Sequence, residues 1–444
     1  MVDVREIERI GERKVGIEEY ISDTQGIGGV LREEPDYFQV FEVAELPELN
    51  DDGNYLVIKV RKTNWDTINF ARVLSNRLRI SQKRIEYAGT KDKRAQTVQY
   101  YSIKNVDEEL IERLESTNIK DCEIQVVGRT RRGLRLGDLK GNFFRIRVTD
   151  ADADEEAVKA IQQELMEKGV PSYFGIQRFG TVRYITHIVG LHVLRRDYEE
   201  AFWTYVALPF EFEREEVKSI REELWGSRDA RYGLRELPAY LRYERNLLQK
   251  LIEEKSEERA LLSLPRTLKM MFVHAYQSYV FNRLLSYRIR EFRSLKAVEK
   301  KDYVGFVSME NLSLDELNLD GRVAIPENDF TEAGEHWDRV NFLIDKNMAF
   351  LALPLPGYKT EVNPESWCHP VMMEILEEDG VSLQDFKHNY KEFSSSGEFR
   401  LAEIPINFEM FEFSAYNNNT MDFSFFLPKG CYATSLLREF LKDS

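Results

Sequence analysis

Cysteine is scarce in this chain. Its 444 residues hold only Cys122, Cys368 and Cys431, far apart and with no C-x-x-C spacing. A disulfide framework and a structural zinc ribbon are therefore excluded, and a reducing compartment fits better. Long hydrophobic runs are missing as well. The longest, Met348–Pro356, falls far short of the roughly 20 apolar residues that a membrane-spanning helix needs. The start, MVDVREIERIGERK, is charged throughout and lacks the apolar core of a secretory signal, so the expected location is cytoplasmic. The six histidines show no metal-ligand spacing, and there is no H-E-x-x-H. No G-x-x-x-x-G-K-[ST] phosphate loop and no G-x-S-x-G nucleophile elbow is present.

What is present is enough apolar matter for real cores: 43% hydrophobic and 12% aromatic residues, which excludes wholesale disorder. The formal charge is −15, from 77 acidic against 62 basic residues, but it is unevenly spread. Lys59–Lys104 holds twelve Lys/Arg against three acids, and Arg129–Arg147 holds seven against one. Both blocks are threaded with aromatics. Single basic runs commonly just solvate a helix face. Two of them in an acidic protein suit a local polyanion-binding face, with solubility set globally.

Along the chain, period-2 alternation predicts strands at Tyr37–Val43, Tyr55–Val60, Thr97–Ile103 and Asn142–Val148. Helices are predicted over Trp65–Leu78 and Asp154–Lys168. The first is capped by Thr63 or Asn64 and buries Ile68, Ala71, Leu74 and Leu78. The second is capped by Asp154, buries Val158, Ile161 and Leu165, and stops at Gly169. From about residue 186 the pattern turns helical, with a long candidate at Leu268–Phe292. Strands return in Ile406–Ser414 and Met421–Leu427, before a last helix at Thr434–Leu441. The expectation is an α+β fold with a mixed or antiparallel sheet flanked by helices. Its catalytic part covers residues 1–190 and 401–444, interrupted by an inserted α+β domain at 191–400.

Two strings carry chemistry. In Tyr87–Gln99 (YAGTKDKRAQTVQ), one carboxylate, Asp92, stands among Lys91, Lys93 and Arg94. Neighbouring cations hold an aspartate ionised, ready to attack an electron-poor carbon or to take a proton. As a lone string it more often describes a solvated turn. Gly169–Gly180 (GVPSYFGIQRFG) offers rings on Tyr173, Phe174 and Phe179 and donors on Gln177 and Arg178. Such loops suit an unstacked base, although aromatics in loops more often plug a small core.

With three further strings, these resemble the pseudouridine synthases of the TruD family. Ala88–Thr97 (AGTKDKRAQT) resembles the A-G-x-K-D-[KR]-x-A-x-T loop, and Ser172–Gly180 resembles N-Y-F-G-x-Q-R-F-G. Leu31–Arg32 with Pro35–Glu42, Leu134–Phe144 (LRLGDLKGNFF) and Phe426–Glu439 (FLPKGCYATSLLRE) resemble the remaining signatures, in family order. The resemblance implies conversion of uridine to pseudouridine in transfer RNA, at uridine 13, on a flipped-out base. It implies no cofactor, no metal, no membrane and no protein partner.

In its terms the catalytic aspartate falls on Asp92, and the family's nearby lysine on Arg32, which keeps the charge and can pair with a carboxylate at two points. Substrate-facing positions fall on Phe38, Lys91, Ser172, Phe174, Gln177, Arg178, Phe179 and Tyr432. Ser172 stands where the family has asparagine. The RNA backbone is expected to meet Lys83, Arg84, Lys93, Arg94, Arg131 and Arg132. The competing reading is a non-catalytic RNA-binding or RNA-chaperone protein on the same fold. A base-releasing glycosidase would want a second acid near Asp92, and none is next to it in the loop.

Overall fold

The computed structural model describes residues 11–91, 93–180, 182–314 and 317–442; Asp92 lies outside them. Two compact units divide the chain. A sheet unit comprises Ser22–Val170, Val307–Glu327 and Ile404–Ser444. A helical unit comprises Met1–Ile21, Pro171–Phe306 and Asn328–Glu403. These limits differ from the expected division at 190 and 400, and apolar burial explains the difference. Phe174 packs edge-to-face on Phe281 of the long helix Arg266–Phe292, so the segment after Val170 belongs with that helix. The hairpin segment Val307–Glu327 gives Leu312, Val323 and Ile325 to a core with Phe41, Val43, Phe143 and Phe426.

The strands, in chain order, are β1 (Phe38–Ala44), β2 (Tyr55–Thr63), β3 (Ile85–Tyr87), β4 (Gln96–Lys104), β5 (Cys122–Thr130) and β6 (Leu139–Thr149). They continue with β7 (Tyr303–Leu314), β8 (Leu319–Glu332), β9 (Ala349–Leu355), β10 (Glu398–Leu401), β11 (Glu412–Asn417) and β12 (Thr420–Pro428). The sheet unit is built on eight strands in the order β11-β12-β6-β1-β4-β2-β5, with β3 also on β4. The β1–β4 pairing is parallel and the others are antiparallel, so the sheet is mixed. On one face, Leu56, Ile58 and Val60 of β2 and Tyr101 and Ile103 of β4 pack against two helices, α1 (Thr67–Leu78) and α2 (Glu108–Glu115).

α1 is capped by Asp66, whose carboxylate accepts from the Asn69 amide at 2.8 Å; Thr63 and Asn64 lie outside the helix. Such a cap contributes about 1 kcal/mol. Its buried stripe is Thr67, Phe70, Ala71, Leu74, Ser75 and Leu78, whereas Ile68 is exposed, because at roughly 100° per residue it lies about a quarter turn off the centre of that stripe. The next helix, α3 (Glu155–Lys168), matches its expected cap and stripe, and Gly169 ends it at a φ of 91°. Ile406–Ser414 splits into a short turn and the later strand β11, while β12 and the helix Ala433–Leu441 fall where the pattern placed them.

The helical unit packs the helices between Thr186 and Leu262 with Arg266–Phe292, beside β10, β9 and the start of β7, Tyr303–Phe306, which pair in that order. Strand β9 is buried along its whole length. No helix among the described residues is long and apolar enough to cross a membrane. Nor does any group of three His, Cys, Asp or Glu among them suit a metal ion.

Candidate active site

On one side of β4 two neighbours share the strand. β3 pairs with it at Tyr101 and Ile103, and β1 pairs with it at Gln96–Val98. Between these pairings a side chain takes the place of the backbone ladder: Glu42 of β1 accepts from the Tyr100 amide at 3.1 Å. The loop 88–95 leaves β3 and returns to β4 across this interruption.

The loop is gripped from several directions. Gln99 Nε2 donates to the Gly89 carbonyl at 2.7 Å, and the Gln99 Oε1 accepts from the hydroxyls of Thr67 and Tyr101 at 2.9 and 2.8 Å. The Lys91 amide donates to Thr67 Oγ1 at 2.8 Å. The Lys91 ammonium pairs with Glu42, and both side chains are buried. Asn64 N donates to the Ala95 carbonyl at 3.1 Å, and Gly137 N donates to that of Ala88 at 2.9 Å. Gly137 sits at a φ of 100°, a region where glycine alone avoids strain, which accounts for the glycine in the LRLGDLKG string.

The segment bearing Arg32 runs alongside. Arg94 Nη2 donates to the Glu33 carbonyl at 3.2 Å, and Gln96 Nε2 donates to Asp36 at 3.4 Å. The Arg32 guanidinium lies 4.2 Å over the ring of Phe38, a cation–π geometry, and Phe38 in turn meets Phe144 edge-on. Tyr432 is half-buried in the same unit, just before the helix Ala433–Leu441.

In the helical unit, Asn282 reads the backbone of Phe174 at two points, accepting from its amide at 2.9 Å and donating to its carbonyl at 3.0 Å. The Arg400 guanidinium stands 4.0 Å over the Phe174 ring. Arg178 donates to Ser278 at 3.3 Å, and Gln177 is exposed. Ser172 is buried: its amide donates to Ala402 at 2.8 Å, and its carbonyl accepts from Arg400. Phe179 is fully buried against His187, whose pKa burial pushes down to about 4.

The structure thus gathers Arg32, Phe38 and Lys91 around the loop in one unit, and Ser172, Phe174 and Arg178 in the other. Three expected substrate contacts, Lys91, Ser172 and Phe179, are enclosed by protein groups instead of facing outward. Of the expected RNA-backbone contacts, Lys83, Lys93, Arg94, Arg131 and Arg132 are exposed. Arg84 is committed to the carbonyls of Lys104 and Asn105, and Arg132 to Asp138. Glu42, Lys62, Thr67 and Gln99 escaped the sequence reading. Their signal was there in part, because Glu42 and Lys62 are charges that continue the apolar faces begun by Phe38 and Val40 and by Ile58 and Val60.

Comparison with known proteins joins these pieces. A family model described as tRNA pseudouridine synthase D (TruD) matches residues 14–440. A protein of Archaeoglobus fulgidus named "Probable tRNA pseudouridine synthase D" is 54% identical over 97% of this chain and 99% of its own length. One of the same name from Methanosarcina acetivorans is 38% identical over 97% of this chain and 96% of its own. A crystal structure from Methanosarcina mazei, assigned to tRNA pseudouridine synthase D (TruD), superposes with a TM-score of 0.79 at 35% identity, covering 100% of this chain and 99% of that one. With the loop, the second signature and the sheet all in family order, this chain belongs to the tRNA pseudouridine synthase D family.

Proposed function

We propose that this protein isomerises uridine to pseudouridine in transfer RNA, with uridine 13 as its target and Asp92 as the catalytic aspartate. The observation that carries the reading is the grip on loop 88–95. Gln99, Thr67, Asn64 and Gly137 bond the loop backbone on both sides of position 92, and Glu42 and Glu33 hold the side chains of Lys91 and Arg94; catalysis by a single carboxylate needs that kind of fixed placement.

The reaction breaks N1–C1′, turns the base and joins C5 to C1′; C5 gives up its proton and N1 ends protonated, so atoms and electrons balance with no oxidant or reductant. Asp92 acts as nucleophile at C1′ or as base at C2′. Arg32, over Phe38, supplies the cation that orients it. Phe38, Phe174 and Tyr432 are the rings assigned to the extruded nucleotide, and Gln177 and Arg178 the donors to it. Unstacking costs a few kcal/mol, and phosphate contacts from Lys83, Lys93, Arg94 and Arg131 offset it. Ser172 carries its role through its backbone, since its amide and carbonyl both bind protein groups.

The test is incubation of the full chain with an unmodified transfer RNA transcript, followed by mapping of pseudouridine. Modification at uridine 13 is expected. RNA binding without pseudouridine at any position would favour the chaperone reading, and release of free uracil would favour a glycosidase.

A further inference from the structure

Strand β2 buries every second residue: Leu56, Ile58, Val60 and then Lys62. The first three meet α1 and α2 as apolar side chains should. Lys62 breaks the series, because it places an ammonium group with no solvent exposure where a valine or isoleucine would pack. A buried charge is costly unless protein groups replace its water. Two do so here. Lys62 Nζ donates to Thr97 Oγ1 at 2.7 Å and to the Trp65 carbonyl at 3.0 Å.

Thr97 is the second residue of β4, the strand into which loop 88–95 discharges, and Trp65 lies in the turn into α1. Lys62 therefore ties the loop's exit to the same turn whose neighbour, Asn64, holds the Ala95 carbonyl. Close by is the second buried ammonium, that of Lys91, paired with Glu42. The buried set of Lys62, Lys91 and Glu42 thus holds two ammonium groups against one carboxylate, and Lys91 is the covalent neighbour of Asp92.

We propose that Lys62 is a positioning residue for the loop that carries Asp92. It pins the loop's exit through Thr97 and, with Lys91, keeps positive charge in excess beneath the loop, which favours the ionised carboxylate at position 92. This rests on the reading of Asp92 as the catalytic group.

The titratable groups that face Lys62 come from each element packed around it: Lys91 of the loop, Glu42 of β1, Asp66 before α1 and Cys122 of β5, whose thiol burial pushes up to about 11. Burial pushes its pKa down to about 8, the Lys91 charge acts in the same direction, and Cys122, Glu42 and Asp66 pull it back.

The experiment compares the pH profile of kcat/KM for pseudouridine formation in the wild type with Lys62→Met, Thr97→Val and Glu42→Gln. Methionine keeps the length and apolar stem of lysine and removes the charge; valine removes only the hydroxyl. In Lys62→Met, kcat should fall at least about tenfold while KM for transfer RNA stays within about twofold, and the acid limb should move up by about one pH unit, the displacement a lost neighbouring cation causes. In Thr97→Val the thermal midpoint should drop while the acid limb stays in place. In Glu42→Gln, which removes negative charge, the acid limb should move down.

A folded Lys62→Met with the wild-type acid limb and kcat overturns the proposal. If Lys62→Met does not fold, an unmoved acid limb in Glu42→Gln overturns it instead. Absence of pseudouridine in the wild type refutes the underlying reading of the site. Pseudouridine formation by the wild type with unmoved acid limbs in Lys62→Met and Glu42→Gln refutes only the role given to Lys62.

Discussion

Arg94 reaches from the loop to the carbonyl of Glu33 at 3.2 Å, so the stretch that carries Arg32 is fastened to the stretch that carries Asp92. Arg32 itself has a φ of 60°, a left-handed conformation that costs a non-glycine residue about 1 kcal/mol. Arg32→Gly therefore removes the guanidinium while relieving the backbone. Its thermal midpoint should stay close to that of the wild type, and single-turnover pseudouridine formation should fall at least about tenfold, the scale of one charge-assisted contact. Turnover equal to the wild type would show that the guanidinium takes no part.

Asp92→Asn keeps the size of the side chain and removes its charge. RNA affinity, measured by filter binding at fixed salt, should change by less than about twofold, because an uncharged amide neither gains nor loses a phosphate contact. Pseudouridine formation should be abolished. Retained turnover would discard Asp92 as the catalytic group.

Gln99 serves three partners with one side chain: the Gly89 carbonyl and the hydroxyls of Thr67 and Tyr101. Gln99→Met matches its volume and leaves all three unsatisfied in a buried site. Each such group costs about 1–3 kcal/mol, partly recovered by relaxation. Urea unfolding should show a loss within that range, and kcat should fall further than RNA affinity because Gly89 lies three residues before Asp92. A stability equal to the wild type would mean that water or neighbours replace the amide.

Much of this was legible in the residues. The strands β1, β2, β4 and β6 are rich in β-branched and aromatic residues, which reveals their existence; their faces are less legible, because β1, β2 and β4 bury consecutive residues on both sides of the sheet. β5 was not found: it is an edge strand, largely half-exposed, with a bulge near Gly128 that breaks its alternation. The loop was visible by its composition, but its supports were not. Glu42 shares the face of Phe38 and Val40, and Lys62 that of Ile58 and Val60. Only the pairing of β1 and β2 with β4 brings these side chains under one loop. Phe179 and Ser172 were read as outward because aromatic and hydroxyl groups in a glycine-bounded loop suit a ligand equally well. Packing on His187 and the backbone bonds to Ala402 and Arg400 decide otherwise.

The basic residues divide by what they already hold. Lys83, Lys93 and Arg131 are exposed; Arg132 is exposed too but is held by Asp138 and the Gly133 carbonyl, and Arg84 is held by the carbonyls of Lys104 and Asn105. Transfer RNA affinity should fall steeply with salt. Replacing Lys83, Lys93 or Arg131 by alanine should each flatten the slope of log K against log salt by up to about one unit. Arg84→Ala and Arg132→Ala should change thermal stability more than that slope. The same slope in all five variants would remove these residues from the RNA interface.

Glu164, on α3, holds the start of the sheet unit. Its carboxylate accepts from the amides of Asp23 and Thr24 at 2.7 and 2.8 Å and from the Thr24 hydroxyl, and it pairs with Lys168 at 2.7 Å. Partial burial works against the charge, but Lys168 and these hydrogen bonds outweigh it and bring the pKa from 4.5 to about 2. A carboxylate with a depressed native pKa contributes stability that is fully present above its unfolded value and is lost as pH falls through the native one. Glu164→Gln should therefore destabilise the protein near neutrality by about 1–3 kcal/mol, the range for hydrogen bonds to a charged group. The gap between variant and wild type should narrow as pH drops from 4.5 towards 2. Chemical denaturation across that window measures it, and a gap that stays constant with pH would show that the carboxylate's charge contributes nothing to the fold.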